Sequence, residues 1–148
     1  MSFLSVHLTR ASEAFPSLGM AYELFFKRLL DIFLASFLIL LLSPLFLLAA
    51  VLIRIDSPGP VVFRQKRVGR GGRPFTLWKF RSMVQGAEEN GAVWAEETDT
   101  RITRAGRLLR PFRLDELPQL FNVLRGDMSL VGPRPERPEF VQELSKHI

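Results

Sequence analysis

The chain of 148 residues contains no cysteine, and its only two histidines are His7 and His147. The absence of cysteine excludes disulfides and thiolate metal sites. Because the histidines lie near opposite ends of the chain, a metal centre built on clustered histidines is not expected. The chain also lacks internal repeats and long low-complexity tracts, and its length suits a single domain.

Basic residues outnumber acidic ones. Twenty Lys and Arg stand against fifteen Asp and Glu, which gives a net charge of +5 and a sequence pI near 10.4. A balance of this kind favours an anionic partner, which could be a nucleic acid, an acidic membrane surface or a phosphorylated small molecule. Charge alone does not choose among these three classes.

Much of the apolar content lies in one uncharged run, Ile32–Ile53. A helix of 22 residues measures ~33 Å, which is enough for a hydrocarbon core of ~30 Å. Ser43-Pro44 divides the run, and proline removes a helical hydrogen bond, so the helix must kink or break there. The two arms would be only ~18 and ~13 Å long. The run therefore indicates membrane association, with a break at Ser43 and Pro44.

The topology of this run has two readings. Basic residues on both sides, Lys27 and Arg28 before it and Arg54 after it, favour a re-entrant hairpin whose two ends share one membrane face. Proline is common in spanning helices, however, and on the run alone we expect a kinked single span. We also expect Asp31 to pair with Arg28 at i, i+3.

The strongest candidate for chemistry is the adjacent carboxylate pair Asp115-Glu116. Leu117, Leu120, Phe121 and Leu124 follow it at helical spacing, which predicts a helix with Asp115 as its N-cap and Pro118 in its first turn. A carboxylate at a positive helix end is held ionised, the form that a nucleophile or metal ligand needs. Alternatively, Asp115 only caps the helix and Glu116 is solvated. Five arginines at three-residue intervals precede the pair and would attract an anion: Arg101, Arg104, Arg107, Arg110 and Arg113.

Two further segments carry cations on rigid elements. Residues 61–68 and 74–83 are rich in β-branched and aromatic types around a glycine-rich turn, which predicts a β-hairpin. Its second strand contains Trp78-Lys79-Phe80-Arg81, either a base-stacking surface or a strand with solvated cations. Thr103 to Pro111 reads as a short helix, and a proline-framed turn presents Arg134. Val84–Thr98 is expected to be a surface segment packed through Trp94, and Glu136–Ile148 a last amphipathic stretch.

Seven segments, in order and at family-like spacing, resemble the bacterial sugar transferases, monotopic phosphoglycosyl transferases. The segments are Lys27-Arg28-Leu29-Leu30-Asp31, Ser43-Pro44, Gly59-Pro60-Val61-Val62-Phe63-Arg64-Gln65, Lys79-Phe80-Arg81-Ser82-Met83, Asp115-Glu116-Leu117-Pro118-Gln119-Leu120, Gly126-Asp127-Met128-Ser129 and Gly132-Pro133-Arg134-Pro135. The resemblance covers the chain from about Tyr22 onwards. It implies an α+β, mostly helical fold, with a re-entrant helix hairpin in the membrane followed by a small cytoplasmic catalytic domain that contains a β-hairpin.

The resemblance also implies the reaction and its partners. A sugar 1-phosphate passes from a nucleoside diphosphate sugar, commonly a UDP-sugar, to polyprenyl phosphate with Mg²⁺, and this step starts polysaccharide or glycoconjugate assembly. By this resemblance Asp115 is the nucleophile, and Glu116 helps to hold the metal and phosphates. The phosphate-binding side chains would be Lys79, Arg81, Arg110, Arg113 and Arg134. The Ser-Pro break is associated with a re-entrant helix, which reverses the single-span expectation.

Three organisational expectations follow. The chain divides into a leader (1–21), a membrane-associated helix (22–57) and a catalytic domain (58–148) on the cytoplasmic face of the bacterial inner membrane. Family members continue past Gly-Pro-Arg-Pro with a Lys-Pro-Gly-(Ile/Leu)-Thr-Gly segment and closing helices, so the resemblance implies that part of the pocket is missing from this chain. Membrane lipids are expected partners, a homodimer is allowed, and nucleic acid is not expected. The alternative from a different class is a non-catalytic, membrane-tethered basic module that binds anionic lipid or nucleic acid.

Overall fold

The computed structural model describes residues 18–69, 72–87 and 99–138. Within these ranges it contains four helices, a two-stranded sheet and one turn of 3-10 helix, which confirms an α+β fold with more helix than strand. Residues 1–17 of the predicted leader (1–21), the segment around Trp94 and the chain from 139 onwards lie outside the described residues, whereas residues 18–21 already belong to the first helix. The elements are α1 (Leu18–Leu41), α2 (Ser43–Asp56), β1 (Val62–Val68), β2 (Pro74–Phe80), α3 (Arg104–Leu109), the 3-10 turn (Leu114–Glu116) and α4 (Gln119–Arg125).

The break predicted at Ser43-Pro44 is present. Helices α1 and α2 meet at an angle of 61° across Leu42. Pro44 has no N–H for the carbonyl of Leu40, and the hydroxyl of Ser43 donates a hydrogen bond to that carbonyl instead, at 2.8 Å. Among the described residues neither helix alone has the length and apolarity of a membrane span, whereas Tyr22–Leu41 and Ser43–Asp56 meet that test together.

Helix α2 contributes one face to the hydrophobic core, where it packs against β2 and α3. Ala49 and Ile53 are buried against β2 and α3, in a cluster whose other buried members are Phe80, Ala105 and Leu109. Four large side chains elsewhere on α2 stay exposed: Leu47, Leu48, Val51 and Ile55. The same core thus contains residues from both sides of position 57, where the sequence predicted the end of the membrane-associated part.

The predicted β-hairpin is confirmed. Strands β1 and β2 pair antiparallel, from Val62 opposite Phe80 to Val68 opposite Pro74. Asn122 of α4, which is fully buried, continues the hydrogen bonding at the other edge of β2. Its side-chain oxygen accepts from the N–H of Trp78 at 3.0 Å, and its amide nitrogen donates to the carbonyl of Thr76 at 2.7 Å. The side chain of Asn122 therefore makes the hydrogen bonds that a third strand would make at this edge, and it connects α4 to β2.

Charged side chains of α1 bind the end of α4 and the loop after it. The guanidinium of Arg28 donates to the carbonyls of Val123 and Leu124, at 2.5 and 2.8 Å. The carboxylate of Asp31 accepts from the N–H of Leu130. The predicted Arg28–Asp31 ion pair is therefore wrong, because each side chain satisfies a more distant backbone group.

The helix predicted to start at Asp115 starts later. Helix α4 begins at Gln119 with Pro118 in the N-cap position, and Asp115 lies in the separate 3-10 turn. Arg113, just before that turn, has a left-handed backbone (φ 54°, ψ 24°), which directs the chain away from a continuous helix. The N-cap role of Asp115 is thus wrong. The short helix at Thr103 is confirmed: Thr103 caps α3 by accepting from the N–H of Gly106 at 3.0 Å.

Candidate active site

A cavity of about 1110 Å³ lies between the β-hairpin, the segment after β2 and the turn that carries Asp115. Its wall combines apolar groups, among them Phe63, Phe80 and Met83, with many cations. Clefts that take drug-sized ligands measure roughly 300–1,000 Å³. The volume therefore suits a ligand as large as a nucleotide sugar. The cationic part of the wall includes Arg67, Lys79, Arg101, Arg110, Arg134 and Arg137.

Glu116 is the centre of an ion-pair cluster. Its Oε1 lies 2.8 Å from Arg134 Nη2 and 3.4 Å from Lys79 Nζ. Its Oε2 lies 3.8 Å from Arg113 Nη1. The fold thus brings together β2, the 3-10 turn and the proline-framed turn, and three of the five cations named from the sequence meet at one carboxylate.

Asp115 lines the cavity beside this cluster. Burial raises the pKa of its carboxyl, and the neighbouring charge of Glu116 adds to the rise, whereas Lys79 and Arg110 oppose it. Burial likewise lowers the pKa of Lys79, which Glu116 partly offsets. Both shifts arise mainly because burial removes water from the charged forms.

Arg110 provides a donor without a partner in the described part of the chain. Its Nη1 is buried and makes no hydrogen bond to the described residues. A buried guanidinium N–H left unpaired is costly, and an anionic oxygen is the acceptor that best satisfies it. Arg110 lines the same cavity as Asp115, so its guanidinium group belongs to the wall against which an anion beside the carboxylate would bind.

Arg81 also lines the cavity, but its guanidinium group is engaged by the chain itself. Its guanidinium donates to the carbonyls of Pro58 and Ser57, both at 2.7 Å, and to the hydroxyl of Ser57 at 2.8 Å. The side chain is buried, and it fastens the end of β2 to the chain just after α2. The sequence predicted either a base-stacking surface or solvated cations on this strand. Neither interpretation describes Arg81. The guanidinium groups of Arg64 and Arg125 each lie over the ring of Trp78, 5.8 and 5.4 Å from its centroid.

These features coincide with a sequence match. Residues 22–148 match the family described as bacterial sugar transferase. The chain belongs to this family. The resemblance carried by the Asp-Glu pair, the Ser-Pro break and the proline-framed arginine is thereby confirmed.

Three relatives of this sugar transferase illustrate the match. The chain is 55% identical over 124 residues to the UDP-N-acetylgalactosamine-undecaprenyl-phosphate N-acetylgalactosaminephosphotransferase of Aeromonas hydrophila, covering 84% of this chain and 29% of the relative. It is 50% identical over 122 residues to the putative undecaprenyl-phosphate N-acetylgalactosaminyl 1-phosphate transferase of Bacillus subtilis, covering 82% and 68%. The UDP-glucose:undecaprenyl-phosphate glucose-1-phosphate transferase of Caulobacter vibrioides is 54% identical over 109 residues, covering 74% and 41%. The chain thus spans between 29% and 68% of these three proteins.

Sequence reasoning missed Arg67, which lines the cavity of this sugar transferase and joins β1 to the proline-framed turn. Its guanidinium donates to Gln65 Oε1 and to the carbonyl of Pro135, and next to it the N–H of Val68 donates to the carbonyl of Glu136. These contacts attach the segment after Arg134 to β1. Residue alternation along β1, which places Arg67 on the same face as Phe63, was the available signal.

The described residues contain no group of three acidic or histidine side chains that could hold a metal ion. Asp115 and Glu116 supply two adjacent carboxylates, and both oxygens of Glu116 already face cations. Mg²⁺ in phosphate-transferring sites commonly uses one or two carboxylates together with substrate phosphates and waters. The donor set therefore fits a Mg²⁺ ion that is bound jointly with phosphate, rather than one held by the protein alone.

Proposed function

We propose that this sugar transferase moves a sugar 1-phosphate from a nucleoside diphosphate sugar to a polyprenyl phosphate. The observation that carries the proposal is the half-buried Asp115 beside an unpaired guanidinium N–H of Arg110 and the cations around Glu116. A site of this kind binds two phosphates and places one of them against a carboxylate. The names of the relatives support a UDP-sugar as donor and undecaprenyl phosphate as acceptor.

The cations have separate roles in this proposal. Arg110 donates to the donor diphosphate through its free N–H, and Lys79, Arg113 and Arg134 hold the remaining phosphate oxygens. Charge-assisted, bidentate contacts of this kind are the strongest hydrogen bonds that a protein offers to phosphate. Arg81 was expected to bind phosphate as well, but its contacts with Ser57 and Pro58 support a positioning role.

Asp115 is the nucleophile in the proposed reaction. An oxygen of its carboxylate bonds to the phosphorus that carries the sugar, and the bond from that phosphorus to the bridging oxygen breaks, which releases a nucleoside monophosphate. An oxygen of polyprenyl phosphate then attacks the same phosphorus and the Asp115 carboxylate leaves. The product is a polyprenyl diphosphate sugar. Mg²⁺, when bound, would neutralise phosphate charge and would be held by Glu116, with Asp115 adjacent.

The bent pair of α1 and α2 supports a membrane-associated enzyme. We infer a re-entrant hairpin that enters and leaves the cytoplasmic face of the bacterial inner membrane. The exposed apolar side chains of α2 lie on the helix that also packs against the core, so lipid contact would place the cavity close to the head groups. A lipid phosphate could then reach the cavity without leaving the interface.

Intact-protein mass spectrometry with UDP-sugar alone tests the nucleophile. The wild type should gain one sugar phosphate and release nucleoside monophosphate before any lipid acceptor is added, and Asp115→Asn should do neither. Glu23→Gln is a matched carboxylate-to-amide control, because Glu23 is exposed on α1 and does not line the cavity. A wild type that makes lipid-linked product without adduct or early nucleotide release would rule out the covalent route. The non-catalytic basic module predicts no product at all.

Cysteine labelling tests the topology. A reagent that does not cross membranes should fail, in intact cells, to label single cysteines placed near Gly19 and near Gly91, because both ends of the hairpin would face the cytoplasm. Labelling at only one of the two positions would establish a span. Pro44→Leu restores a backbone donor at the break and should shift the helix towards spanning.

A further inference from the structure

In the structure the carboxylate of Glu116 contacts the cations that would otherwise bind an anionic ligand. Three cations contact its two oxygens, and two of them, Lys79 and Arg134, line the cavity. A carboxylate and a phosphate present the same acceptor atoms to an ammonium or guanidinium group. Glu116 and the donor diphosphate therefore compete for the same N–H groups.

The charges allow one anion to replace the other. Four cations, Lys79, Arg110, Arg113 and Arg134, surround two carboxylates, Asp115 and Glu116, which leaves +2 when all six groups are ionised. The diphosphate of a nucleotide sugar brings two negative charges. The cluster can thus accept the diphosphate and remain close to neutral without gaining or losing a proton.

Exposure makes the exchange easy. The side chains of Arg134 and Arg113 are 59% and 71% exposed, so their pairs with Glu116 are weak in water. A diphosphate offers more acceptor oxygens than one carboxylate, and contacts to it can be bidentate. Arg110 needs no exchange, because its buried Nη1 makes no hydrogen bond to any residue in the described part of the chain.

We propose that Glu116 holds the phosphate-binding cations in the free protein as an internal substitute for substrate, and that the arriving diphosphate displaces it. Only then does its carboxylate become available to a divalent cation. This inference rests on the proposed function, and it assigns Glu116 two successive partners. It predicts that the free protein binds Mg²⁺ weakly and that donor binding assembles the metal site.

Calorimetric titration with UDP in EDTA, on protein in lipid nanodiscs, tests the exchange. Glu116→Gln removes the competing charge while keeping the shape of the side chain, so UDP should bind roughly fivefold to tenfold tighter than to wild type. Loss of the repulsion between Glu116 and UDP would also tighten binding, even without release of the cations. Repeating the Glu116→Gln substitution in an Arg134→Gln protein distinguishes these two causes. With Arg134→Gln present, the gain from Glu116→Gln should fall to about twofold, because one released cation is missing.

An equal gain in both backgrounds, or no gain in either, would overturn the proposal. A wild type that fails to bind UDP even with Mg²⁺ would instead refute the proposed function, which keeps the two failures distinct.

Manganese binding followed by electron paramagnetic resonance gives a readout that needs no turnover. Mn²⁺ should bind the wild type with at least about tenfold higher affinity when UDP is present, after correction for the Mn²⁺–UDP complex in buffer. Glu116→Gln should remove that gain. Tight binding of Mn²⁺ to the UDP-free wild type, lost in Glu116→Gln, would show a preformed metal site and contradict the exchange.

Discussion

Replacing Gly106 with alanine should have two opposite effects on stability. Alanine has the higher helix propensity, but its Cβ would clash with a neighbouring segment. Gly106 lies inside α3 and is buried where this helix crosses the segment after β2. A Cβ built on Gly106 would lie 2.0 Å from the carbonyl oxygen of Ser82 and 2.8 Å from its carbonyl carbon. Both contacts are with backbone, so no side-chain rotation can relieve them. The two segments must move apart by at least 1.0 Å for the oxygen to reach 3.0 Å, the shortest separation that real Cβ atoms show.

The packing effect should be the larger one. Alanine in place of glycine favours a helix interior by about 1 kcal/mol. Overpacking costs about 1–3 kcal/mol, more where the neighbour is rigid. The displacement also stretches the hydrogen bond from the N–H of Thr103 to Ser82 O, now 3.1 Å, which adds about 1 kcal/mol. The expected net change is a loss of about 1–3 kcal/mol of stability.

Thermal unfolding in nanodiscs measures this change, and UDP binding measures its effect on the site. The melting temperature of Gly106→Ala should fall, and UDP binding should weaken because α3 leads directly to Arg110. Gly132→Ala is the control, since its nearest non-neighbouring atom, Ser129 Cβ, would lie at 4.0 Å. It should change stability by less than about 0.5 kcal/mol. A Gly106→Ala protein as stable as wild type, or more stable, would refute the packing argument.

Three further substitutions test the site and its supports. Asp115 has a raised pKa in the fold, so the folded state retains its proton to higher pH than the unfolded state, and stability falls as pH rises through that interval. Asp115→Asn should therefore raise the melting temperature at pH 7, by an amount that shrinks as pH approaches 4; a constant difference would contradict this cause. Arg28→Lys keeps the charge but loses the two-pronged contact with the end of α4, and should destabilise by about 1–2 kcal/mol in chemical unfolding. Asn122→Ala leaves two backbone groups of β2 unpaired in a buried place and should cost about 3 kcal/mol, whereas an unchanged midpoint would show that water replaces the amide.

Local chemistry was enough to predict several elements. The break at Pro44 follows from a missing N–H, and the short helix α3 was predicted from the helix signals that start at Thr103. The hairpin follows from two strand-like segments around glycines. Each depends on residues a few positions apart, so the sequence contains all the groups involved. The family resemblance identified the Asp-Glu pair in the same way, as a short ordered pattern.

The start of α4 shows where local reasoning failed. Apolar periodicity placed the helix from Asp115, but Asp115 lies in a 3-10 turn that ends at Glu116, and α4 begins only at Gln119. Periodicity reports which face of a segment is buried and says little about where its first turn begins. Asp115 is consequently part of a turn that faces the cavity rather than a helix cap.

The tertiary structure decided the partners of the charged side chains. Arg28 contacts carbonyls 95 and 96 positions along the chain, and Arg81 holds a carbonyl 24 positions before it. The sequence identified Lys79 and Arg134 as cations, but only the fold brings both to Glu116. The physical reason is that a long charged side chain can satisfy any acceptor within its reach. Composition and spacing therefore predicted an anionic partner and singled out two adjacent carboxylates, whereas the packing of β2, the 3-10 turn and the proline-framed turn decided which cations meet Glu116.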